Sequence, residues 1–206
     1  MDECFKLVLG THNQKKRREL QILLAHLPLE VLTLDDFPNA LDVEETGTTF
    51  QENAGLKATV QAKHLGHWVM GEDSGLSVSA LDGAPGVYSA RYAGEDANDD
   101  TNNAKLVANL SDIPLNKRQA WYTCHMTLSD PTGSVHIDVE ASCRGRIVLD
   151  PRGTAGFGYD PYFELVEYRR TFAELGDSVK SVLSHRAKAM RMFLSRFHNL
   201  SKLIRV

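Results

Sequence analysis

The stretch that most constrains this chain is Trp68-Val69-Met70-Gly71-Glu72-Asp73-Ser74-Gly75-Leu76, where a short apolar run meets two adjacent carboxylates. Bounded by glycine and too short for a helix, Trp68-Val69-Met70 reads as a buried strand. Alternation resumes after the acids: Leu76, Val78 and Ala80 face one way, Ser77 and Ser79 the other, as in a half-buried strand. The sequence therefore predicts a tight turn at Glu72-Asp73, between Gly71 and Gly75. Carboxylates at a strand end beside glycines are placed to hold a divalent cation while a phosphate approaches. An acidic surface turn is the plainer alternative.

At 206 residues the chain has length for one domain or two closely joined lobes with a real core. A net charge of −4 argues against a nucleic-acid backbone as the main partner. No run approaches the roughly 20 apolar residues of a membrane-spanning helix. The N-terminal MDECFKLVLG, acidic at its start, lacks a signal-peptide pattern. Cys4, Cys124 and Cys143 show no CxxC spacing, which predicts reduced thiols in a cytoplasmic protein rather than a zinc site or a disulfide framework.

Phe5 to Leu9 predicts a first strand, followed by a Gly10-Thr11-His12-Asn13 turn and a helix from about Gln14 to His26. Strand, polar turn and helix make a phosphate-binding geometry, with N–H groups and the positive dipole end facing the loop. Lys15, Lys16, Arg17 and Arg18 add charge there, although Asn13 capping and a solvated basic face account equally well for the residues. No P-loop or dinucleotide-binding glycine motif is present. Leu29 to Leu34 predicts a second strand. Thr49 and Glu52 form a capping box opening a helix to about Leu65. Asn53, Lys57 and Gln61 share one polar face of it, either a solvent-facing stripe or a ligand-facing one, with Glu45 just upstream.

Farther on, Gly83-Ala84-Pro85-Gly86 is a turn, and a helix from about Asp99 to Leu110 places Ala104, Val107 and Leu110 inward. Two alternating runs around Asp130-Pro131-Thr132-Gly133 predict a hairpin, with a separate strand near Arg146 to Leu149. Trp121 and His125 fall on the hairpin face opposite Tyr122 and Cys124, and read as sheet packing or a partner contact. Residues 153–161 are glycine-rich and aromatic, either a binding loop in which Phe157 can stack on a planar base or a hairpin loop with incidental aromatics. Ser184 caps a helix running to about Phe197, which puts His185 and Arg186 at the end of the macrodipole that disfavours cations.

Together these stretches resemble the inosine/xanthosine triphosphate pyrophosphatase family. The likeness runs in order through Thr11-x-Asn13-x-x-Lys16, Glu44-Glu45-Thr46-Gly47, Glu52-Asn53 with Lys57, and Asp73-Ser74-Gly75-Leu76. It continues through Gly83-Ala84-Pro85-Gly86, Tyr88-Ser89-Ala90-Arg91-Tyr92, Gly156-Phe157-Gly158-Tyr159-Asp160-Pro161, Lys180 and Ser184-His185-Arg186. The resemblance implies an α/β fold in which a long twisted mixed sheet is flanked by helices, with two lobes and a central cleft. It implies one domain over residues 1–206 and a homodimer.

The implied reaction is attack of water on the α-phosphorus of a non-standard purine triphosphate, giving the monophosphate and pyrophosphate. The resemblance assigns Asp73 and Lys57 to catalysis, and Glu45 and Asp73 to Mg²⁺, with Mn²⁺ able to substitute. It assigns substrate binding to Thr11, His12, Asn13, Gln14, Lys15, Lys16, Ser74, Phe157, Gly158, Tyr159, Asp160, Lys180, His185 and Arg186. Hypoxanthine and xanthine present a keto acceptor where adenine presents an amino donor. Donors such as Lys180, His185 and Arg186 therefore favour the keto bases, at ~1–3 kcal/mol for each unsatisfied group. A Maf-type nucleotide pyrophosphatase and a nucleotide sensor without turnover are the rival readings.

Overall fold

The acidic stretch contains no turn. In the computed structural model, which describes residues 4–204, one unbroken strand runs from Trp68 to Val78. Gly71 lies inside it because a helix packs directly on the strand: a Cβ there would sit 2.1 Å from the Ala54 carbonyl oxygen and 2.7 Å from the Ala58 nitrogen. The glycine read as a turn signal is thus a site of close backbone approach.

The elements are β1 (Phe5–Leu9), α1 (Gln14–Leu24), β2 (Leu29–Thr33), α2 (Phe50–Leu65), β3 (Trp68–Val78) and α3 (Asp99–Leu110). They continue as β4 (Gln119–Ser129), β5 (Val135–Ile147), β6 (Phe163–Leu165), β7 (Arg170–Thr171), α4 (Phe172–Leu183) and α5 (His185–Ile204). The strands form one mixed sheet in the order β2-β1-β3-β4-β5-β6-β7. β1 pairs in parallel with both β2 and β3, whereas β5, β6 and β7 pair antiparallel.

The chain divides into two compact units. The first comprises residues 4–73, 124–141 and 188–204, and the second residues 74–123 and 142–187. The first buries Leu7, Leu9, Leu20, Leu24, Met70, Met126, Leu128, Phe193 and Phe197 in its main core. The second buries Leu76, Val78, Leu106, Leu110, Tyr122, Phe163 and Phe172.

Several sequence expectations need correction. The strand expected near Arg146 is the end of β5, which runs to Ile147. The first helix stops at Leu24, and the last extends to Ile204. The inner face of α3 is Asn102, Asn103, Leu106 and Leu110, not Ala104, which is exposed. Asn102 takes that place because it bonds the preceding loop twice, accepting from Ala93 N and donating to the Ala90 carbonyl. The β6, β7 and α4 segment was not foreseen, although Thr171 and Glu174 form a capping box that marks the start of α4.

Candidate active site

Glu72 and Asp73 are successive residues of β3, so the pleat turns their side chains to opposite faces. Both are buried in the first unit. One Asp73 oxygen, Oδ1, lies 3.0 Å from Lys57 Nζ and 3.8 Å from Lys16 Nζ. The other accepts from Asn53 Nδ2 at 3.3 Å. Lys57 Nζ is also 2.9 Å from Glu45 Oε1 and donates to the Glu72 carbonyl at 3.3 Å. Lys16 Nζ lies 3.1 Å from Glu72 Oε2, whose partner oxygen accepts from Cys124 Sγ at 3.3 Å. The result is an alternating row, Glu45–Lys57–Asp73–Lys16–Glu72.

Local sequence explains how each side chain arrives. The capping box of Thr49 and Glu52 starts α2 at Phe50 and so puts Asn53 and Lys57 one turn apart on a single face. That face is not a solvated stripe: Asn53 and Gln61 are buried, and the Lys57 side chain is 12% exposed. Asn13 caps α1 by accepting from Lys16 N at 3.0 Å, and the Thr11 hydroxyl accepts from Asn13 N. The basic stretch then splits by partner. Lys16 turns to the acids while Arg17 pairs with Asp35.

Burial is the largest influence on Asp73 and raises its carboxyl above the ordinary range, against the pull of Lys16 and Lys57. Burial works against the Lys57 ammonium too, but Asp73 and then Glu45 outweigh it and hold the ammonium above its usual value. Lys57 therefore bridges two carboxylates as a cation.

That bridge tests whether a divalent ion suits the site. Glu45 and Asp73 already hold a cation between them, and both offer the hard oxygen donors magnesium takes. No cluster of three or more His, Cys, Asp or Glu side chains with metal-holding geometry occurs among the described residues. A magnesium ion at this pair would complete its shell from water and phosphate oxygens, as it commonly does. The residues fit the ion.

In the second unit the loop of residues 153–161 is built around Asp160. Its Oδ2 accepts from Phe157 N at 2.9 Å and from Lys180 Nζ at 2.6 Å. Gly156 has φ +78°, and a Cβ there would reach within 2.2 Å of the same oxygen. Lys180 Nζ lies 4.2 Å from the Phe157 ring centroid, a cation–π distance. Gly158 is pinned from α3, its N–H donating to Asp99 Oδ2 and its carbonyl accepting from Asn103 Nδ2. Tyr159 is buried and donates to the Ser89 carbonyl. Burial pushes its phenol well above the ordinary value.

Ser184 caps α5 by accepting from Ala187 N. His185 and Arg186 follow, and both are buried. The His185 ring stacks on Tyr122 at 4.7 Å and 12°. Arg186 Nη2 donates to Ser74 Oγ at 3.0 Å. Ser74 is therefore joined to Arg186, and Lys180 to Asp160 and Phe157. His12, Gln14 and Lys15 remain exposed, with His12 Nε2 near the Leu41 carbonyl.

The model described as the Ham1 family matches residues 7–196. The chain belongs to the Ham1 family. A Rhodopirellula baltica protein named dITP/XTP pyrophosphatase is 52% identical over 200 residues, covering 97% of this chain and 96% of that one. A Desulforamulus reducens protein of the same name is 44% identical over 195 residues, covering 95% and 96%. The solved HAM1 protein of Coxiella burnetii superposes with a TM-score of 0.86 at 36% identity, over 95% of this chain and 99% of that one. The Mycobacterium abscessus nucleoside-triphosphatase / dITP/XTP pyrophosphatase gives a TM-score of 0.76 at 40% identity, over 92% and 99%. The α/β architecture with its mixed sheet is thus the Ham1 fold.

Sequence reasoning left three residues of these groups without a site role: Tyr122, Asp99 and Asn103. Glu72 was read beside Asp73 as a cation-holding carboxylate, and Asn53 carried a signal, standing four residues before Lys57 on the same helix face. The other three depend on contacts distant in sequence. His125, read as sheet packing or a partner contact, lies in the hairpin beside Asp138 Oδ1 at 2.5 Å and Glu140 Oε2 at 3.5 Å.

Proposed function

We propose that this chain hydrolyses non-standard purine nucleoside triphosphates, dITP, ITP and XTP, to the monophosphate and pyrophosphate, and so clears them from the nucleotide pool. The observation that carries the reading is the alternating row Glu45–Lys57–Asp73–Lys16–Glu72, with Asp73 and Glu72 buried. A pure binding site gains nothing from three carboxylates set where a polyanion must arrive, whereas a hydrolase uses them to hold a cation and direct water.

Lys16, Lys57 and the first-turn N–H groups of α1 hold the phosphates. Asp73 orients the attacking water and accepts its proton. Glu45 and Asp73 would hold Mg²⁺, with Mn²⁺ as a substitute, and the ion supplies charge neutralisation on the phosphate oxygens. In the second unit Phe157 offers a face for the base, and Lys180, His185 and Arg186 offer donors to its keto groups. The names of the relatives support this substrate class. Residues 1–206 act as one catalytic domain, a reading supported by the span of the family match. The resemblance supports a homodimer. The spacing of Cys4, Cys124 and Cys143, which forms no CxxC pair, supports a cytoplasmic setting. Among the described residues no helix is long and apolar enough to cross a membrane.

The test is pyrophosphate release from a panel of purine and pyrimidine triphosphates, with magnesium and with excess chelator. Release from dITP, ITP and XTP, weak release from ATP and none with chelator is the expected result. Full turnover in chelator overturns the metal pair, and preference for a pyrimidine triphosphate overturns the substrate class.

A further inference from the structure

We propose that Asn53 is a positioning residue that ties the Glu45 loop to the Asp73 carboxylate and so sets the pair for a divalent cation. Asn53 is fully buried in the first turn of α2. Its Oδ1 accepts from Gly47 N at 2.8 Å and its Nδ2 donates to Asp73 Oδ2 at 3.3 Å. A backbone N–H can only donate, so the Gly47 bond fixes which end of the amide faces the loop. The amino end is thereby aimed at Asp73.

Gly47 stands two residues after Glu45, so the loop that carries one proposed ligand is fastened to the other through a single side chain. The approach is close. A Cβ at Gly47 would lie 2.6 Å from Asn53 Oδ1 and 2.6 Å from Glu52 Cβ. Four residues along α2, Lys57 makes a parallel link, reaching Glu45 Oε1 at 2.9 Å and Asp73 Oδ1 at 3.0 Å. The two links differ in kind. The Lys57 link is ionic and yields when another cation takes the same oxygens. The Asn53 link is neutral, uses the other Asp73 oxygen, and persists. Partners that orient metal-holding carboxylates in this way typically change affinity or activity about 10–100-fold when removed.

The inference rests on the reading that Glu45 and Asp73 hold the cation, and one series separates the two. Mn²⁺ affinity of the whole chain, saturated with a non-hydrolysable dITP analogue, is measured by electron paramagnetic resonance titration for the unaltered protein, Glu45→Gln, Asn53→Ala, Gly47→Ala and the double variant Gly47→Ala/Asn53→Ala. Folding is followed by circular dichroism, and kcat and KM are measured on dITP. Asn53→Ala and Gly47→Ala should each weaken Mn²⁺ and lower kcat by about tenfold or more, with KM for dITP changed less than about twofold. The double variant should be no worse than the single variants, because both break one link. If Glu45→Gln binds Mn²⁺ as the unaltered chain does, or neither binds it, the metal pair itself is wrong and the inference falls with it. If Glu45→Gln loses Mn²⁺ while Asn53→Ala and Gly47→Ala keep it, the positioning role of Asn53 alone is overturned. Should Asn53→Ala fail to fold, Gly47→Ala decides, and unaltered Mn²⁺ affinity there overturns the proposal.

Discussion

Lys57 Nζ lies 3.0 Å from Asp73 Oδ1, with both side chains almost wholly removed from solvent. A buried pair at that distance keeps its charges only because each steadies the other. Asp73→Asn preserves shape and removes the negative partner. Turnover of dITP should fall by about two orders of magnitude or more, as losses of a water-orienting base do. Nucleotide binding should persist on Lys16 and Lys57. Near-normal kcat would move the water-orienting role elsewhere, with Glu72 the first residue to test, since it lies 3.1 Å from Lys16.

Much of this site was legible from the chain because its parts follow local rules. The Thr49 and Glu52 capping box fixed the start of α2, and with it the shared face of Asn53 and Lys57. Asn13 marked α1 in the same way. What was misread depended on packing. Gly71 and Gly75 suggested a turn, but a glycine needed for helix approach has the same letter as one needed for a bend. His185 and Arg186 were seen as misplaced cations, and their partners Tyr122 and Ser74 stand 63 and 112 residues away. No periodicity connects such positions.

The two glycines at Gly71 and Gly55 should respond to alanine with opposite signs. A Cβ at Gly71 would meet α2 backbone at 2.1 and 2.7 Å, atoms that cannot rotate aside. Gly71→Ala should cost about 3 kcal/mol or more and lower activity, since α2 carries Lys57. Gly55 sits within α2 with nothing inside 4 Å of a new Cβ, so Gly55→Ala should stabilise by about 0.5–1 kcal/mol. Urea unfolding of both variants checks this, and equal midpoints would refute the packing account.

Glu164 supplies a pH signature in the second unit. Burial would raise its carboxyl, but hydrogen bonds and charge from Arg152 and Arg146 outweigh that and hold it below the ordinary range. Arg146 Nε donates to it at 2.5 Å. A lowered folded value means the stabilisation is fully present above the unfolded pKa of about 4.3 and disappears as pH falls through the folded one. The stability gap between the unaltered chain and Glu164→Gln should be widest near neutrality and shrink below about pH 4. Urea midpoints at several pH values measure it. A gap as wide in acid would show that charge plays no part.

Variants at Arg186 test what reads the base, and its burial sets the variant to use. Helix-dipole reasoning alone makes Arg186→Ala cheap, because it removes a cation from a helix N-terminus. The structure argues otherwise. At 2% exposure Arg186 ranks among the largest fully buried side chains, so truncation would leave a cavity and cost about 2–5 kcal/mol. Arg186→Met keeps most of the length and removes the donors. If those donors serve the keto groups, KM for ITP and XTP should rise about tenfold or more while the already poor use of ATP barely changes. Ser74→Ala, which removes the acceptor 3.0 Å from Nη2, should shift the ITP to ATP ratio in the same direction and less far. A uniform loss for all triphosphates would assign Arg186 to the phosphates, and an unchanged ratio would place base recognition on other residues.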